Sequence, residues 1–236
     1  MSARGALGAG LVAGAAWSVP ALAPIVPVVA GVLRVPLRRA GAAGVALTFD
    51  DGPHPQGTPA TLEILAAAGA HATFFLVGEQ VRAHPTLAAE IVAAGHTVAI
   101  HGDRHRNLLR LTPRGLADDL DRAAATIEET TGAEATLHRP PYGIYSYTGL
   151  ALVRRRGWRP LLWSRWGRDW STRETAQTIT DRLTRDLGAG DVLLLHDADW
   201  YSDPGSWRAT VAALPRVLER IGEAGLAVDG APPQRR

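Results

Sequence analysis

The stretch GVALTFDDGPHP, residues 44–55, joins an apolar run to two adjacent carboxylates, Asp50 and Asp51. Its first half, VALTF (45–49), is apolar without alternation, as in a strand covered on both faces. Its second half stops the strand, because Asp-Gly followed by Pro is turn chemistry. Two neighbouring ionised carboxylates repel, so a metal ion, a cation from elsewhere in the chain, or exposure to water must offset them.

Outward from this stretch the same unit recurs. TPATLEILAAAG (58–69) reads as a helix with Thr58 as N-cap, Pro59 first and Gly69 as the stop. ATFFLV (72–77) and TVAI (97–100) are further strands, with a helix ending at AEIVAAG (89–95) between them. TPRGLADDLDRAAATIEETTG (112–132) is a long amphipathic helix, with Leu116, Leu120 and Ile127 near one face. ATLH (135–138), RPLLW (159–163), DVLLL (191–195) and LAVD (226–229) are the remaining strands. Helices at 147–156, 172–190 and 206–225 alternate with them. Repeated strand-then-helix order predicts an α/β domain with a mostly parallel sheet, either open and doubly wound or closed into a barrel. No linker divides residues 41–236.

Composition bounds the function classes. Among 236 residues, 25 basic and 23 acidic groups nearly balance, and every basic residue is Arg. No arginine block is long enough for nucleic-acid binding, and Arg154-Arg155-Arg156 suits a helix C-terminus. The absence of cysteine removes disulfides, thiolate metal sites and thiol nucleophiles. Residues 1–40 are a separate apolar segment, uncharged from Ala6 to Leu33 but interrupted by Pro20, Pro24 and Pro27. It is expected to be an export signal, an uncleaved anchor or a hydrophobic hairpin lying in the membrane interface, which places the protein at the cell envelope, membrane-associated or secreted.

In both candidate architectures functional groups collect at the C-terminal ends of strands. Those ends carry Asp50-Asp51, HGDRH (101–105), RPPY (139–142), WGRDW (166–170) and His196-Asp197. Five polar or aromatic clusters would therefore ring one mouth. His101 and His105, four apart, can share a metal ion if their loop makes a helical turn. Two imidazoles and a carboxylate suit zinc with an open position, or ferrous iron as in oxygenases.

The ordered motifs TFDDGP, HGDRH, RPPY, WGRDW and LLLHD resemble those of the polysaccharide deacetylases, the NodB-homology carbohydrate esterases, over roughly Val45 to Asp229. The resemblance implies an irregular (β/α) barrel of about seven βα units. It implies a zinc ion, or another divalent metal, bound by Asp51, His101 and His105. Asp50 would be the catalytic base and Arg139 its partner. His196 would be the general acid, and Asp169 would hold it protonated. Tyr142, through its backbone N–H, Trp170, Trp200 and Leu194 would contact substrate. The implied reaction is removal of N-acetyl groups from an amino-sugar polymer such as peptidoglycan or a chitin-type oligosaccharide. Deformylation, cyclic-amide hydrolysis and iron-dependent oxygenation are the alternatives. Two positions depart from the family pattern: Gly102 stands where many relatives carry Ser or Thr, and Trp166 stands where an extra Asp is usual.

Overall fold

The computed structural model describes residues 17–39 and 41–229. Strands β1 (Val45–Asp50), β2 (Thr73–Leu76), β3 (Thr97–Ile100), β4 (Leu137–His138), β5 (Arg159–Pro160), β6 (Arg165–Trp166) and β7 (Val192–His196) run in parallel in the order β5-β4-β3-β2-β1-β7-β6. One edge of β1 is shared. Thr48 to Asp50 pair with β2, while Val45 and Ala46 pair with β8 (Val228–Asp229). The curled sheet is an incompletely closed barrel, since β5 and β6 at its two ends do not pair.

Strand pleating divides the core in two. Val45, Leu47 and Phe49 of β1 pack outward with Phe74, Leu76, Val98, Ile100, Leu193 and Leu195, beneath helices that include α2 (Gly57–Ala67), α5 (Pro113–Thr131), α7 (Ala176–Thr184) and α8 (Trp207–Glu223). Phe49 and Phe74 are register partners with ring centroids 5.1 Å apart. Truncating a core phenylalanine of this kind costs about 3–5 kcal/mol. Ala46, Phe75, Ala99, Val192 and Leu194 face the other way, into the barrel, with Leu161, Leu162 and Trp163. The even positions of β1 therefore aim Thr48 and Asp50 at the interior, and the same alternation brings His196 in above Leu194. Helix α5 forms as its sequence demands. The Thr112 hydroxyl accepts the N–H of Gly115 at 3.1 Å, Pro113 opens the helix, and Gly132 closes it at φ 70°.

Three local readings of the sequence are corrected. Helix α2 begins at Gly57 behind Gln56, so Thr58 is not its N-cap. The Thr58 hydroxyl instead accepts the N–H of His54 at 2.7 Å and donates to Asp197. The strand expected over 159–163 stops at Pro160, because Arg139 takes the carbonyls of Leu161 and Leu162 and turns them out of the ladder. A short β6 then starts at Arg165. The helix expected over 172–190 is confined to α7, set by a capping box of Thr175 and Thr178 and ended by extended Arg185. The His101–His105 loop makes no helical turn, since Gly102 sits at φ 92°.

The described N-terminal residues lie against the barrel seam. Ala23, Ala30 and Val35 join the inner core. Leu162 donates its N–H to Pro36 at 3.0 Å, and Arg38 bridges to Asp191. Here α1 (Pro27–Val32) is a single short helix. Among the described residues no helix is long and apolar enough to cross a membrane; residues 1–16 of the segment lie outside them.

Candidate active site

Asp50 is the last residue of β1 and Asp51 the first beyond it, held at φ 77°. That left-handed backbone is strained for a residue other than glycine. It swings the second carboxylate away from the first and towards the β3 end. His101 leaves β3 and His105 follows one loop later. The Nε2 atoms of His101 and His105 lie 3.4 and 3.3 Å from Asp51 Oδ1, and the three side chains are positioned to share a metal ion.

The protonation states of this trio fit a cation. Burial pushes Asp51 up, but the neighbouring imidazoles of His101, His105 and His196 outweigh it and hold the carboxyl at about 2. Burial lowers His105 to about 4, against the pull of Asp51, so its ring is neutral at pH 7. His101 Nδ1 lies 2.8 Å from the carbonyl oxygen of Arg139, which can only accept. Nδ1 therefore carries a hydrogen, and Nε2 is the atom presented to Asp51. Asp51 Oδ1 is buried and has no hydrogen-bond partner among the described residues. A buried carboxylate oxygen left unmatched between two imidazoles is the donor set that a zinc ion satisfies.

Around the trio stand two ion pairs. Arg139 is fully buried, with Nη1 2.7 Å from Asp50 Oδ1 and 2.9 Å from Thr48 Oγ1. Its Nε and Nη2 donate to Leu161 and Leu162 carbonyls at 3.0 and 2.9 Å, and its face lies 4.0 Å from the Phe75 ring centre. Four of its five N–H donors are thus paired, as a buried guanidinium requires. Opposite, His196 Nδ1 is 3.0 Å from Asp169 Oδ1. Burial alone would lower His196, but Asp169, with smaller contributions from Asp51 and Asp50, raises it to about 10. Asp169 Oδ2 is fixed by the His196 backbone N–H at 2.7 Å and the Thr210 hydroxyl at 2.8 Å.

The other expected site residues are distributed around the same mouth. Tyr142, at φ 61°, is exposed, with its ring 4.5 Å from that of His105. Trp170 stands edge-on 6.1 Å from His196 and continues into Trp166 at 5.2 Å. Leu194 is buried two residues below His196 on the inner face. Trp200 donates its indole N–H to Pro53 at 3.1 Å and lies between His54 and His84. His54 is turned inward, accepting the N–H of Gly57 at 3.0 Å and facing Asp199 at 3.2 Å.

Three supports escaped the sequence. Tyr201 stacks on His105 at 4.3 Å and 9°, donates to Glu79 at 2.6 Å and accepts from Gln80 at 3.0 Å. Asp119 on α5 accepts the N–H of Asp103 at 2.9 Å and braces the histidine loop. A Cβ at position 102 would meet its carboxylate at 3.2 Å, so glycine and this carboxylate occupy the loop together. Asp197, already noted beside His196 in the sequence, is buried with Oδ1 unpartnered, and burial raises it to about 7 against the Thr58 hydrogen bond. The third missed support is Thr48, which alone carried a usable signal, being one pleat period below Asp50.

Comparison with known proteins identifies the family. The family model for polysaccharide deacetylase matches residues 38–161. A chitooligosaccharide deacetylase of Sinorhizobium fredii is 34 % identical over 204 residues, 84 % of this chain and 94 % of that protein. A peptidoglycan-N-acetylglucosamine deacetylase of Bacillus cereus is 31 % identical over 185 residues, 77 % of this chain and 83 % of that protein. The family 4 carbohydrate esterase of Streptomyces lividans, solved with acetate, superposes with a TM-score of 0.73 at 30 % identity, covering 82 % and 96 % of the two chains. With that sequence match and that fold, this chain belongs to the polysaccharide deacetylase family.

Proposed function

We propose that this chain hydrolyses the N-acetyl groups of an amino-sugar polymer of the peptidoglycan or chitin type, with a zinc ion held by Asp51, His101 and His105. The observation that carries this reading is the pairing of Asp50–Arg139 and His196–Asp169 about one histidine–carboxylate trio. An amide has a weakly electrophilic carbonyl and a poor leaving group, so a base and an acid are both needed. Zinc, when bound, supplies a Lewis acid for the carbonyl and a more acidic water; the same donors would accept another divalent ion.

The chain's own groups account for the remaining steps. Asp50, oriented by Arg139, accepts a proton from the attacking water as its oxygen bonds to the acyl carbon. The Tyr142 N–H donates to the oxyanion that develops. His196, doubly protonated against Asp169, gives its Nε2 proton to the nitrogen as the C–N bond breaks, leaving acetate and a free amine. An oxygenase needs no such base and acid. Trp170 and Tyr142 flank the mouth with faces suited to sugar rings, and Leu194 underlies the acyl group. Activity on peptidoglycan would place the protein at the cell envelope.

The test is acetate release from peptidoglycan and chitin fragments, with zinc supplied and then chelated. Acetate and an equal amount of new amine are expected only with metal. Release that persists after complete chelation, or none from any fragment when zinc is bound, would end this reading.

A further inference from the structure

Large apolar side chains exposed to water concentrate in one place. Val19, Leu22, Ile25, Val28 and Val32 are exposed by 41 % to 78 %, and the other exposed large apolar or aromatic side chains among the described residues are Tyr142, Tyr147 and Trp200. Their outward direction is set by packing. Ala23 and Ala30 of the same segment are buried in the inner core, and Arg154 donates to the carbonyls of Leu33 and Arg34, so the segment is fastened to the domain by its inner side. A contiguous apolar patch rimmed by polar groups marks an interaction surface.

Charge selects the occupant. No acidic residue precedes Asp50, and the segment is uncharged in sequence from Ala6 to Leu33. Arg34 and Arg154 are exposed at its end. Arg38, by contrast, is committed to Asp191. A second copy meeting this face about a two-fold axis would set arginine against arginine. An anionic lipid surface accepts both features, with apolar side chains at the acyl boundary and guanidinium groups at the headgroups.

We propose that residues 19–34 dock this protein shallowly on an anionic bilayer surface. Ile25, Val28 and Val32 enter the acyl boundary, and Arg34 and Arg154 meet the headgroups. The segment lies on the membrane surface: α1 has only six residues, far too few to span a bilayer. The same segment reaches the mouth. Pro24 packs so closely over Gly143, next to Tyr142, that a Cβ at 143 would meet it at 3.0 Å.

The test uses the full chain and vesicles of pure phosphatidylcholine or of phosphatidylcholine with phosphatidylglycerol, read by co-sedimentation. The unmodified protein should pellet with the anionic vesicles and be released by salt. The triple variant Ile25→Ser, Val28→Ser, Val32→Ser should lower the partition coefficient at least about tenfold. Arg34→Glu should remove the preference for anionic lipid. Both variants should melt like the parent and release acetate from a soluble fragment at the parent rate. Parent protein left in the supernatant with both vesicles would overturn the proposal, as would a triple variant that binds like the parent. A parent dimer in light scattering that the triple variant converts to monomer, without vesicle binding, would assign the face to a second copy instead.

Discussion

Replacing Asp169 with Asn probes the acid arm of the site without removing its scaffold. The asparagine oxygen can still accept the His196 backbone N–H and the Thr210 hydroxyl, so the loop should keep its place. What disappears is the negative charge 3.0 Å from His196 Nδ1. His196 stands at about 10 largely because Asp169 overcomes its burial. Without that charge the burial remains, and the ring should fall to the ordinary imidazole value of about 6.5 or below. At about 1.4 kcal/mol per pH unit, the carboxylate contributes on the order of 5 kcal/mol to keeping the acid protonated, as an upper figure. A dication at Asp51 would draw both proteins' alkaline limits downward, but the difference between them survives because Asp169 sets it. The raised acid is present below its folded-state pKa and lost as pH rises through it. Acetate release followed from pH 5 to pH 11 should therefore show the alkaline limb of kcat moving down by about 3.5 pH units, with at least about a tenfold loss at pH 8. An unmoved limb, or a loss equal at every pH, would refute the protonation role of Asp169.

Arg139→Met should remove most turnover and destabilise the fold by about 3–5 kcal/mol in urea denaturation, since Asp50 is left buried without its partner. Exhaustive chelation should stop acetate release and lower Tm, with both restored by zinc; Asp51→Ala should abolish the restoration of Tm as well as of activity. Asp197→Asn should raise stability at pH 8 but leave it nearly unchanged at pH 4. A carboxyl raised from 3.8 to about 7 in the folded state loses stability as pH rises through that interval, by up to about 4 kcal/mol. Tyr201→Ala should speed metal loss to a competing chelator by about tenfold or more, whereas Tyr201→Phe, which keeps the stack on His105 and loses the bonds to Glu79 and Gln80, should do less.

The parallel sheet and the ring of groups at one rim were legible because both follow from short-range rules. Runs such as VALTF and ATFFLV are long enough to declare a buried strand, and Asp50, His101, Arg139 and His196 each sit at or just past a strand end. Thr58 misled because Thr-Pro is a good helix opening locally, while the deciding partner, Asp197, lies 139 residues away. RPLLW misled in the same way: nothing in it records that a distant guanidinium will claim two of its carbonyls. The spacing of His101 and His105 would let them share an ion through a helical turn; the loop instead brings the rings to 5.3 Å with Gly102 at positive φ. Tyr201 and Asp119 were illegible because a ring stack and a loop brace exist only once the chain has folded.

The bonds of Arg139 to Leu161 and Leu162 have a consequence for how such a protein can change. One cation pairs with Asp50, the proposed proton acceptor, and also claims two carbonyls on the stretch between the unpaired staves. Silencing the reaction by altering this residue would let the wall knit differently and reshape the opening. A chain that gives up turnover but keeps its grip on the polymer should lose Asp50 first and retain the arginine.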